Sequence, residues 1–125
     1  MMNEEKDSFL LKILKKKEGY YKAILELAEE EHSKLERRRP IPEIVSLMKK
    51  KQILLSCIEE CDEEILPLKE EWGKSKKAQA PFAKEIQEEL GVLDLLIREI
   101  LGLDDINRKL FEEILCSLSS AQDVK

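Results

Sequence analysis

Apolar residues recur every three or four positions along almost the whole chain, the period of one helical face. In the first segment Leu10, Ile13, Tyr20, Ile24 and Leu27 fall at spacings of 3, 7, 4 and 3. Lys17 fills the position that the longest step skips, and its aliphatic stem is expected to lie along the seam with the ammonium in water. The pattern predicts a helix over about 7–38, with Asp7 or Ser8 as its cap and Gly19 as a weak point.

The text RRRPIPE then interrupts the period. Pro40 disfavours helical geometry at Arg39, and Pro42 suits the first turn of a new helix. A second helix is predicted over about 42–72 from Ile44, Leu47, Leu54, Ile58, Cys61, Ile65, Leu68 and Trp72, with Lys51 at one seam position. Pro67 falls inside it and is expected to kink the helix or end it near Leu66. Residues 73–81, GKSKKAQAP, read as a loop. The third helix is predicted over about 82–118, with a frayed tail over 119–125. Its seam runs through Ile86, Leu90, Leu93, Ile97, Ile100, Asn107, Phe111, Ile114 and Leu118.

Three rods of roughly 45–55 Å each follow from 1.5 Å per residue. The expected fold is all-α and a single domain over 1–125: an elongated antiparallel helical hairpin plus a third long helix, a three-helix bundle or coiled coil. Composition agrees. Charged residues make up 39% of the chain and aromatic residues only 5%, which suits long amphipathic helices and argues against a sandwich or barrel.

The net charge of −5 and the lack of a clustered basic face with aromatics count against nucleic-acid binding. Arg37–Arg39 read either as an anion patch or as charges complementing the dipole of a helix C-terminus. No apolar run approaches the length of a membrane span. The start MMNEEKDSF is no secretory signal, and three cysteines, Cys57, Cys61 and Cys116, point to free thiols in a reducing, cytoplasmic setting.

Candidate chemistry is thin. Glu29-x-x-His32 has the spacing of a helical metal motif, but di-iron bundles need two such motifs and further glutamates, and this chain has one histidine. Cys57 and Cys61 lack a second ligand pair. No glycine-rich phosphate loop and no nucleophile–base pairing occurs. The expectation is no enzyme, no metal and no cofactor.

What remains is surface. In residues 91–115, GVLDLLIREILGLDDINRKLFEEIL, 13 of 25 residues are apolar and they spread beyond one narrow stripe. Leu96, Leu103 and Leu110 form a second seam, and Leu95, Leu101, Ile106 and Leu115 widen the arc. Such a face marks a protein-binding surface if the other helices leave it uncovered. Asn107 has two readings: a polar residue that fixes register, or a hydrogen-bonding group offered to a partner.

The text YYKAILELAEEEHSKL at 20–35, IPEIVSLMKKKQILLSCIEECDEEI at 41–65 and LGLDDINRKLFEEIL at 101–115 resembles the FlgN-type flagellar export chaperones. The resemblance implies a cytoplasmic protein that binds C-terminal segments of hook–filament junction proteins. It would keep them soluble and deliver them to the type III export gate. The last helix would be the binding element, with Leu103, Ile106, Asn107, Leu110, Phe111 and Ile114 against an amphipathic client helix. An acidic rim of Asp104, Asp105, Glu112 and Glu113 would then tune selectivity and association rate.

Two other readings compete. A structural coiled-coil subunit or adaptor of a larger complex predicts a tight oligomer and no free groove, whereas a chaperone predicts a monomer or a weak homodimer. A redox-sensing subunit would need a thiol of depressed pKa at Cys57 or Cys61, and the neighbouring Glu59, Glu60 and Asp62 push the other way.

Overall fold

The computed structural model describes residues 2–74 and 83–123. They form three helices, α1 (Met2–Glu36), α2 (Ile41–Lys74) and α3 (Ala83–Asp123), with no strand among the described residues. The fold is an all-α helical bundle.

Cross-helix pairs set the directions. Lys17 of α1 meets Asp62 of α2, and Glu31 meets Lys51, so α1 and α2 run antiparallel. Lys15 of α1 meets Glu89 of α3, and Ala28 meets Asn107, so α3 runs parallel to α1. Both outer helices pack on α1. Among the described residues no Cα of α2 comes within 8 Å of a Cα of α3.

The larger core cluster joins Leu10, Ile13 and Leu14 of α1, Cys61 and Ile65 of α2, and Ile86 and Leu93 of α3. A smaller one joins Ile24, Ile58 and Ile100. Ile86, Leu93, Ile100 and Asn107 are seven residues apart and all buried, so one heptad stripe of α3 faces α1.

Four local expectations change. Helix α1 begins at Met2, so Asp7 is no cap but a buried residue within the helix. The ammonium of Lys17 does not reach open water: the residue is buried and paired with Asp62. Helix α2 does not stop at Leu66 but continues through Pro67 to Lys74. Pro67 is exposed, and Leu68 beyond it packs against the larger cluster, which holds the last turns in place. Helix α3 runs to Asp123, past the expected end at Ser117 or Leu118. Of the expected loop, residues 75–81 lie outside the described residues, as do 124–125 of the expected tail and the side chain of Trp72.

One polar cluster sits in the α1–α3 seam. Glu89 is 5% exposed and lies against Glu18, with Lys15 at 3.9 Å and Lys22 held by Glu18 at 2.6 Å. Burial, and then the hydrogen bond to Glu18, push the Glu89 carboxyl up to about 7. The same hydrogen bond, helped by Lys22, holds Glu18 below its ordinary value. Where the two carboxyls share a single proton, these opposite shifts favour it on Glu89.

Candidate functional site: the uncovered faces of helix α3

Because α2 stands away from α3, a trough opens between them over α1. Tyr21 and Ile24 of α1 line its floor. Met48, Gln52 and Leu55 of α2 form one wall, and Ile97, Ile100 and Leu101 of α3 the other, around a volume of 470 Å³. Leu101, on the α3 wall, is 63% exposed.

A three-helix ion cluster crosses the trough. Lys51 of α2 lies 2.7 Å from Glu31 of α1 and 2.9 Å from Asp104 of α3. Burial opposes the lysine charge, but its contacts with Glu31 and Asp104 outweigh that, and its pKa stands above the ordinary lysine value. The cluster ties α2 to α3 through side chains where their backbones stay apart.

Farther along α3, Asn107 is 1% exposed. Its amide N–H donates to the carbonyl of Ala28 at 2.9 Å, and its Oδ1 lies 3.0 Å from His32 Nδ1. The other ring nitrogen of His32 lies 3.0 Å from Glu36 Oε1. His32 thus belongs to a structural chain of contacts, and exposed Glu29 does not join it; no metal-binding cluster occurs among the described residues. The Asn107 side chain is withdrawn from the surface and bonded within the chain.

The other five sequence candidates distribute around α3. Leu103 and Leu110, seven residues apart, continue the row of Leu96; all three are half-buried. Ile106 is exposed beside them. Phe111 lies seven residues beyond Asp104, so it continues the trough-side row; it too is half-buried. Ile114 follows the α1-facing stripe past Asn107 and is half-buried. The five therefore occupy both flanks of α3, not one ridge. With Val92, Leu95, Leu101, Leu115 and Leu118 they make an apolar surface along most of the helix.

The expected acidic rim is largely matched within the chain. Asp104 pairs with Lys51, and Asp105 pairs with Arg108 at 2.7 Å and Lys109 at 3.2 Å. Glu112 approaches Arg108 at 3.4 Å. Hydrogen bonds from Arg108 and Lys109 hold Asp105 below the usual carboxylate range. Cys61 is buried, and burial pushes its thiol up, away from the thiolate a sensor needs.

Sequence reasoning did not find the α2 wall of the trough. Its signal was present in Ile53 and Leu55, apolar residues off the α2 seam that remain exposed. Both are ordinary as single residues, and only the separation of α2 from α3 makes Leu55 part of a surface.

Helix α3 thus carries apolar side chains on both flanks of its α1-facing stripe. The FlgN protein family matches residues 2–124, nearly the full length. The chain belongs to the FlgN family. Comparison with curated proteins and with solved structures gives no match. FlgN proteins are flagellar export chaperones, and the open α3 of this FlgN chain is the feature to interpret in that light. No described helix is long and apolar enough to cross a membrane.

Proposed function

We propose that this FlgN protein is a non-enzymatic cytoplasmic chaperone that binds an amphipathic C-terminal helix of hook–filament junction proteins and keeps it soluble before type III export. The client helix lies along α3, with Leu103, Ile106, Leu110, Phe111 and Ile114 as the main apolar contacts. Asn107 holds α3 in register beneath them. The carrying observation is that the backbone of α3 packs on α1 and not on α2, which meets it through side chains such as Lys51 and leaves Leu101 and Ile106 exposed.

A helix laid on this face removes apolar area from water on both partners, at roughly 25 cal/mol per Å². The half-burial of Leu103, Leu110 and Phe111 preorganises their side chains, which lowers the ordering cost of binding. The neutralised rim leaves selectivity to shape and apolar register more than to net charge.

The double variant Leu110→Asp, Phe111→Asp tests the reading. Pull-down from the source cell should lose flagellar clients while circular dichroism keeps its helical signal. Substantial unfolding would make these residues core, and unchanged capture would move the client elsewhere. Light scattering across concentration adds a second check: a tight concentration-independent dimer would favour a structural coiled-coil subunit instead.

A further inference from the structure

The turn joining α1 to α2 closes in a way its sequence does not favour. The Arg38 N–H bonds to the Leu35 carbonyl at 3.1 Å, and the Arg39 N–H to the Lys34 carbonyl at 2.9 Å. This pair is the Schellman closure, which needs a left-handed residue after the helix, usually glycine. Here that residue is Arg38, at φ 51°. A Cβ in this conformation crowds the backbone, a strain that glycine avoids. The position thus retains a guanidinium where glycine would be more stable.

The three arginines differ in occupation. Arg39 is committed, with Nε and Nη2 donating to Glu43 at 3.0 and 3.1 Å. Arg37 and Arg38 are exposed, and among the described residues neither side chain has an ion pair or hydrogen bond. Beside them lies a cleft of 460 Å³. Pro40, Ile41 and Pro42 form one side, Ile114, Ser117 and Leu118 the other, with Arg38 and Arg39 at its edge. It exists because α3 outruns α1: Asn107 is level with Ala28 and His32, so Ile114–Leu118 pass beyond Glu36 and over the turn.

We propose that this end of the bundle docks an acidic, amphipathic segment of a partner protein. An apolar side chain of the partner enters the cleft between Pro40–Pro42 and Ile114–Leu118, and its carboxylates pair with Arg37 and Arg38. Two uncommitted guanidinia beside an apolar slot complement that chemistry, since arginine binds carboxylate in a forked, directional way. Nucleic acid fits poorly. The slot holds no aromatic to stack a base, the chain carries a net charge of −5, and the basic run is confined to one turn. This site shares Ile114 with the proposed client face, but its arginines and prolines belong to the α1–α2 turn, so variants of the turn and of Leu110 and Phe111 tell the two readings apart.

The probe is a fluorescein-labelled peptide of leucine and glutamate at helical spacing, compared with the same peptide carrying lysine for glutamate. Binding to the full chain is followed by anisotropy. The acidic peptide should bind, the lysine peptide should not, and added salt should weaken the complex. Arg37→Glu with Arg38→Glu should weaken it about tenfold, and Arg38→Gly or Leu118→Asp several-fold. Arg38→Gly suits the left-handed backbone, so its melting temperature should hold or rise and lost binding cannot be blamed on folding. Leu110→Asp with Phe111→Asp should leave the acidic peptide bound. Equal binding of both peptides, or binding indifferent to the turn variants, would overturn the proposal. So would preferential capture of poly(U) RNA or phosphatidylglycerol vesicles, or a self-association abolished by the same arginine changes.

Discussion

The two halves of the bundle use the same three helices in different ways. Around Leu10–Leu14 the helices contribute jointly to one apolar cluster, with Cys61 and Ile65 on one side and Ile86 and Leu93 on the other. Beyond Ile100, α3 buries no further large hydrophobic residue among the described residues. There it is held by polar fasteners: the Lys51 cluster with Glu31 and Asp104, and the Asn107 bonds to Ala28 and His32. Apolar packing covers what it holds, whereas a polar fastener fixes position with a few atoms and leaves the flanking side chains in water. The second half is thus held in place and still open.

The largest test of this contrast compares Leu14→Ala with Leu101→Ala. Leu14 is fully buried, so its truncation should remove about 3–4 kcal/mol in urea unfolding, against under ~0.5 kcal/mol at exposed Leu101. Equal losses would erase the distinction between the halves.

Glu89→Gln probes the closed half through pH. The folded carboxyl stands near 7, above its ordinary value of 4.5, so the folded state binds the extra proton. Stability from this group is full below about 4.5 and is lost as pH rises through 7. The glutamine variant should therefore gain about 1–3 kcal/mol above neutrality and show a flatter profile between those pH values. A variant less stable than the parent at pH 8 would place the charge of Glu89 in a favourable role.

Asn107→Ala addresses the fasteners. Loss of the bond to Ala28 and the contact with His32 should cost about 1–2 kcal/mol. Client capture should fall further than stability alone explains, because α3 loses its register. Smallest is Arg38→Gly, which should add about 1 kcal/mol by relieving the left-handed arginine. No gain there would mean that the turn already tolerates the side chain without strain.

Much of this was readable beforehand, for specific reasons. The 3–4 period of Ile86, Leu90, Leu93, Ile97 and Ile100 yields helix α3 because periodicity is a local property of the chain. The double apolar arc of α3 was legible too. The position of α2 was not, since periodicity says which face is apolar but not which neighbour takes it. Asn107 stayed ambiguous because one polar residue in a seam looks the same whether its partner is in the chain or outside it; the carbonyl of Ala28, 79 positions away, is a partner that no local pattern reveals. Of the two outcomes expected at Pro67, the stop near Leu66 does not occur, because propensity rules ignore the packing of Leu68 beyond it. The left-handed Arg38 had no signal at all: glycine announces that conformation and arginine does not.

The central place of α1 has a consequence for how the molecule breathes. Any partial opening that frees α2 leaves α1 resting on α3, and any opening that frees α3 leaves it resting on α2. Backbone amides of α1 should therefore exchange with solvent deuterium most slowly, and those of distal α3 among the fastest outside the termini. The first helix made is the mast, and the working one is rigged to it so that it can be loosened without bringing the rest down.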